Sequence, residues 1–332
     1  MREWSAPRLL GGLGGLVALA AIASLGVGTL RVPVDALWAA FWSSEPSPYR
    51  LVLVELRIPR TLLALLVGGS LGLAGAAMQG LLRNPLAEPG VVGVSGMAAL
   101  GAVVAFYTGW AAVWDFALPI GGFVGAALGV ALLQLLAGTS GSTLALILAG
   151  IAINSLAGAL TSLALNLSPN PYAVYEILFW LMGSLADRTI EHVALAAPFM
   201  VVGWALLLSQ GRALDALSLG EEAARSLGID VRRTTWLLVL GSALAVGAAV
   251  SIAGVIGFVG LVVPHLLRPL VGHRPGRLLA ASALGGALLT LLADILLRSI
   301  RSGVELKIGV LTALIGAPFF LLLVLRGRRA LT

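Results

Sequence analysis

The sequence has no cysteine, so disulfides, thiolate metal sites and thiol nucleophiles are excluded whatever the compartment. It has a single lysine, Lys307, which follows Leu306. A phosphate-cradling loop ending in Gly-Lys-Ser/Thr is therefore absent, and any nucleotide-driven work must be done by another polypeptide. Charge is also scarce. Only 11% of the 332 residues are Asp, Glu, Lys or Arg, against roughly 25% in a soluble domain. Neither a His-Glu-x-x-His zinc motif nor a Gly-x-Ser-x-Gly elbow occurs around His192, His265, His273 or Ser95, so no catalytic constellation is visible.

What is abundant is apolar sequence. Hydrophobic residues make up 59% of the chain and the mean hydropathy is +1.02. Runs long enough for a ~30 Å hydrocarbon core recur from Leu9 to Leu325. Each backbone donor and acceptor must be satisfied within lipid, which favours helices over the ~10-residue alternation of barrel strands. The expectation is one all-α membrane domain over residues 1–332, a bundle of about ten spans. These are 9–29, 58–82, 93–109, 117–137, 143–167, 190–209, 234–254, 255–271, 278–297 and 308–325, each boundary approximate. The seventh and eighth run together through Gly254, Gly257 and Gly260, which suits a short irregular hairpin, and nine or eleven spans also fit. Residues Arg8 to Thr29 have the look of a signal peptide, but about 20 apolar residues exceed the usual length and favour a retained first span.

The formal charge of +6 comes from arginines scattered at the ends of apolar runs, a topological pattern rather than a nucleic-acid surface. With the first residues inside, about 13 basic and about 6 acidic residues fall on the inner side, and about 8 and about 9 on the outer. Both termini are thus expected to be cytoplasmic. Arg31 to Glu55, with Trp38, Trp42 and Tyr49, reads as an outer segment at the interface. Asp215 to Asp230 is the most polar inner stretch. Leu217, Ala224 and Leu227 recur there at helical spacing, with Glu221, Glu222 and Arg225 elsewhere on the wheel. This is either a short surface helix broken by Gly220 and Gly228 or a solvated loop.

Small-xxx-small spacings at Gly68/Gly72, Gly121/Gly125/Gly129 and Gly11/Gly15 point to close helix packing. Asp294 is the one acid well inside an expected span. Its spacing to Arg298 suits an i,i+4 pair better than ion coupling. His265, after Pro264, is read as a helix-end histidine bonding a freed carbonyl.

Several segments then carry a resemblance. They are Arg57-Ile-Pro-Arg60-Thr, Gly75-Ala-Ala-Met-Gln79-Gly, Arg83-Asn-Pro-Leu-Ala-Glu88-Pro-Gly90, Leu148-Ala-Gly150-Ile-Ala-Ile-Asn154, Trp180-Leu-Met-Gly183, Gly257-Phe-Val-Gly-Leu-Val-Val-Pro264-His265 and Gly316-Ala-Pro318. In this order the chain resembles the FecCD-type permeases of ABC importers for iron siderophores, heme and vitamin B12. It departs from that pattern at Lys307, where the family usually has proline.

The resemblance implies a type II importer permease, itself non-catalytic and without cofactor, in the bacterial inner membrane. It implies a homodimer, two ATPase subunits using ATP and Mg, and a periplasmic or lipid-anchored substrate-binding protein. The segment at about 211–233 matches the coupling helices, with Leu217, Gly220, Glu221, Ala224, Leu227 and Gly228 as ATPase-coupling residues. Arg57, Arg60 and Arg298 match binding-protein docking positions; snorkelling, or pairing with Glu55 and Asp294, is the alternative. Asn154, Ser155, Thr161 and Thr312 match the translocation pathway or else act as interhelical hydrogen-bond partners. A ferric siderophore is the expected cargo, with heme, cobalamin or an ion-coupled carrier as alternatives.

Overall fold

The structure is a computed structural model that describes residues 6–28, 30, 33, 47–137, 143–168, 170–300 and 306–329. Trp38, Trp42 and Glu305 lie outside the described residues.

The first helix, α1, is Ala6–Gly26. The second, α2, runs over Pro48–Leu81, started by the Ser47 side chain, which accepts from the Arg50 amide at 3.1 Å, and by Pro48 in the first turn. The end of the expected interface segment, Pro48 to Glu55, is helical and continuous with the second expected span. A π-helical stretch, Val52–Arg57, precedes Pro59. Proline lacks an amide and its ring crowds the carbonyl four residues earlier, and the wider turn accommodates both.

The remaining helices are α3 Val94–Tyr107, α4 Ala117–Ala137, α5 Thr143–Asn166, α6 Pro171–Leu181 and α7 Ile190–Ser209. They continue as α8 Gly211–Leu217, α9 Glu221–Ser226, α10 Val231–Ala253, α11 Val259–Leu267, α12 Pro275–Ser299 and α13 Ile308–Arg329. Among the described residues, seven helices are long and apolar enough to cross a membrane, and three shorter apolar helices, Val94–Tyr107, Val259–Val271 and Ile308–Leu322, fall within the third, eighth and tenth expected spans.

Two differences from the expected layout stand out. The eighth segment is not a full span: α10 stops at Ala253, Gly254 and Phe258 take left-handed φ of 71° and 66°, and helix resumes only at Val259. Helix α6 has no counterpart among the expected spans. Its start was nonetheless written locally, since Asn170 accepts from the Tyr172 amide at 3.0 Å and Pro171 follows it.

Helices α2 and α10 form the centre, with 83% and 78% of their apolar stretches buried, whereas α1 and α5 bury only 22% and 28%. The centre closes through backbone-to-backbone contact. A Cβ on Gly72 would overlap the Ser282 carbonyl of α12, one on Gly286 the Gly68 carbonyl, and one on Gly75 the Gly260 carbonyl of α11. Helices α3 and α4 meet likewise at Gly101, Gly121 and Gly125. Gly11 and Gly15 have nothing within 4 Å, so the third glycine spacing serves no packing within this protomer. Accordingly, Gly72→Leu is expected to cost at least about 1–3 kcal/mol through overpacking, read as a lower melting midpoint in detergent, while Gly11→Leu leaves the midpoint unchanged.

Candidate functional site

The expected site residues fall in three regions, one at each end of the bundle and one along its open side. At the first end, α8 and α9 form an elbow. Gly220 joins them at φ 111° and ψ 156°, a conformation open almost only to glycine. Gly228 at φ 81° ends α9, and Asp230 then caps α10 by accepting from the Arg233 amide at 2.9 Å. The expected helix broken at Gly220 and Gly228 is therefore present.

Its faces differ from the expectation. Leu217 and Ala224 are buried against the protein's own bundle, but Leu227 is 63% exposed. One helix ends at Leu217 and the next at Ser226, so Leu227 lies just past a helix end, where a continuous wheel over residues 217–227 no longer places side chains. Leu219, 70% exposed, was missed for the same reason. Glu221 and Arg225 make an i,i+4 pair at 3.3 Å on the outer surface of α9. The elbow therefore presents two leucines beside a charged face, the composition of a surface made to be covered.

At the opposite end, Asp294 of α12 is fully buried and lies between two arginines. Arg60 Nε donates to its Oδ1 at 2.8 Å, and Arg298 Nη2 stands 2.9 Å from its Oδ2 without hydrogen-bond alignment at that oxygen. The expected i,i+4 pairing of Asp294 and Arg298 is thus present, with Arg60 as a third member. Arg298 also donates to the Ser24 and Val27 carbonyls, each at 2.9 Å, and Arg57 to those of Leu25, at 2.6 Å, and Leu30. These carbonyls belong to the last turn of α1 and the residues after it, where cations satisfy groups that the helix leaves unpaired. Glu55 is exposed and makes none of these contacts.

Arg57 and Arg298 are therefore committed to anchoring α1. Arg60 lines a cavity of about 390 Å³, which Arg57, Arg298, Asp187 and Arg188 also line. Arg188 was not anticipated, since sequence does not reveal that its Nε donates to the Ile252 carbonyl at 2.8 Å, 64 positions away. Burial pushes the Arg188 guanidinium below its ordinary pKa, and neighbouring Asp187 partly offsets this.

Along the open side, α5 exposes Asn154 and Ser155, and Thr161 is half-buried. Thr312 is corrected: it is buried, and its hydroxyl donates to the Gly309 carbonyl at 3.1 Å, so it faces its own helix rather than an opening. The wall beside α13 is an apolar cavity of about 670 Å³ lined by Leu181, Val255, Phe258, Gly309, Leu314 and Pro318. The entrance to α13, just after Lys307, is closed by the Ile308 amide donating to the Gly183 carbonyl at 3.1 Å.

The break between α10 and α11 is held by the side chains of Gln79 and Glu88. Glu88 accepts from the Phe258 amide at 3.2 Å. Gln79 donates to the Gly260 and Leu261 carbonyls at 3.3 and 3.4 Å and accepts from Arg268. His265 departs from expectation: its buried Nδ1 has no partner, and the ring packs edge-on against Phe319 at 5.8 Å.

Residues 16–326 match the FecCD transport family. The chain is 42% identical to the Fe(3+) dicitrate transport system permease protein FecD of Escherichia coli, over 93% of this chain and 95% of that one. It is 40% identical to the hemin transport system permease protein HmuU of Yersinia pestis, over 97% of each. A solved metal-chelate type ABC transporter in an inward-facing conformation superposes with a TM-score of 0.86 at 36% identity, over 96% of this chain and 99% of that one. The match is continuous over nearly the whole chain, and the chain belongs to the FecCD transport family.

Proposed function

We propose that this chain is the membrane-spanning permease subunit of an ABC importer for a ferric chelate. It performs no chemistry and binds no cofactor. The observation that carries the reading is the α8–α9 elbow, pinned to the bundle by Leu214, Leu217 and Ala224 on one side and projecting Leu219 and Leu227 on the other. Such an element can seat in a groove of an ATPase and pass its displacement to the spans as a rigid lever.

The arginine excess puts the elbow and both termini in the cytoplasm and the Asp294 end outside. Two copies pair, with the sparsely packed α5 and α13 facing a shared pathway. Two ATPase subunits, fuelled by ATP and Mg, bind the elbows, and a substrate-binding protein docks at the arginine-lined cavity. ATP-driven closure of the ATPases shifts the opening from one side of the membrane to the other, which is alternating access. Iron dicitrate and hemin in the relatives' names support a metal-chelate cargo, and heme or cobalamin are the neighbouring alternatives.

Uptake into vesicles containing permease, cognate ATPase and binding protein tests the reading as a whole. ATP-dependent accumulation of a labelled ferric siderophore, and not of heme or cobalamin, is expected. ATP-independent uptake that stops when the ion gradient collapses would identify a secondary carrier instead.

Introducing charge at the exposed leucines, Leu219→Asp with Leu227→Asp, is expected to weaken ATPase co-purification more than about tenfold, as loss of a central apolar anchor does. Glu221→Lys or Gly220→Pro is expected to leave the chain inserted and uncouple transport from hydrolysis, since proline holds φ near −65° and cannot take the Gly220 conformation.

At the outer end the arginines separate by role. Arg60→Glu is expected to lower binding-protein affinity about tenfold or more, and to lower the melting midpoint as well because it sets a carboxylate beside buried Asp294. Arg57→Ala, which orphans two carbonyls, is expected to cost about 1.5–3 kcal/mol of stability for each charged hydrogen bond lost. Titration of the binding protein and thermal melts of the same preparations distinguish the two.

A further inference from the structure

Helix α12 begins at the elbow and ends at the arginine cluster. At its start the N-cap residue, Arg274, supplies no side-chain hydrogen bond. The free amide of Gly276 donates instead to Asp215 Oδ1 of α8 at 2.7 Å, a carboxylate placed at the positive end of a helix dipole. The backbones nearly touch there, since a Cβ on Gly276 would lie 2.6 Å from the Gly211 carbonyl and 2.9 Å from Asp215 Oδ2. Leu214, fully buried, packs the same corner against Gly80 of α2, which Pro275 also approaches.

From Pro275 the helix runs 25 residues with no internal proline, about 37 Å at 1.5 Å per residue. It carries Asp294 and Arg298 at its far end, where they hold α1 and α2. We propose that Asp215 is the positioning residue that joins the coupling segment to α12, so that α12 moves with α8 and links the ATPase side to the arginine-lined cavity. This rests on reading residues 211–233 as the coupling segment. A loop that merely followed its ATPase would need no side-chain acceptor on the first turn of a spanning helix. A joint does, because a hydrogen bond with a glycine-close backbone contact fixes both distance and angle.

The test uses the complete complex of permease, cognate ATPase and binding protein in lipid nanodiscs, and reads the ratio of ATP hydrolysis with and without the binding protein. Asp215→Ala is expected to lower this ratio about fivefold or more while the ATPase remains bound. Asp215→Asn, which retains an acceptor oxygen for the Gly276 amide, is expected to stay within about twofold of wild type. A wild-type ratio in Asp215→Ala would overturn the joint. So would loss of the ATPase from Asp215→Ala complexes, which would make Asp215 a docking or folding residue, and so would an equal fall in both variants. The double Leu219→Asp/Leu227→Asp variant separates the two levels. If it still holds its ATPase, the coupling-segment reading itself fails; if it loses the ATPase while Asp215→Ala keeps a wild-type ratio, only the joint fails.

Discussion

Contact between bare helix backbones is the constraint on which this protein is built. Lipid tails are as apolar as leucine, so apolar surface alone gives helices little reason to associate. Attraction must come from close packing, and close packing requires that side chains be removed at the crossing. Gly68, Gly72 and Gly75 do this along one face of α2, opposite Ser282 and Gly286 of α12 and Gly260 of α11. The same device joins α3 to α4. Because α2 and α12 touch at these points over several turns, the two helices behave as one body, and whatever holds the ends of α12 acts on the centre of the bundle.

Polar groups then tie down what the glycines cannot. The stretch after Ala253 leaves backbone groups without helical partners, a costly condition away from water. Glu88 takes the Phe258 amide, Gln79 takes the Gly260 and Leu261 carbonyls, Arg188 takes the Ile252 carbonyl, and Ser184 takes that of Ala253. Each tie comes from a distant segment. The irregular region is therefore fixed in place by long-range hydrogen bonds, and it forms one wall of the apolar cavity beside α13. Non-helical backbone at such a position is tolerated where it is buried in protein or lines a cavity, the usual sign of a transport route.

The two ends of the molecule use charge in different ways. At the Asp294 end most of it is turned inward: a buried carboxylate, two arginines closing the end of α1, and Arg60 paired with the carboxylate beside the cavity that all three arginines line. At the elbow, the Glu221–Arg225 pair is exposed and contributes little by itself. The exposed leucines beside it give that surface its binding character, while Asp215 reaches inward to α12.

Hydropathy, lone Lys307 and the order of Pro- and Gly-marked segments made the membrane class, the approximate spans, the absence of a nucleotide loop and the polar elbow legible in the sequence, because these depend on composition and on neighbours in the chain. The start of α6 was equally local, in Asn170-Pro171, although a search for long apolar runs passes over an 11-residue helix. The face each side chain presents was not legible. Leu219 and Leu227 lie just past the ends of α8 and α9 and point out, while Leu217, the last residue of α8, points in. Nor were the arginine roles, since Arg60 meets Asp294 across 234 positions and Arg298 meets the end of α1 across more than 270. Thr312 looked available for a pathway until the fold buried it. Short-range chemistry along the chain decided which segments are helices in a membrane; the tertiary structure alone decided which of their polar groups are already used, because a buried charge takes its partner from whatever the packing brings within hydrogen-bond reach.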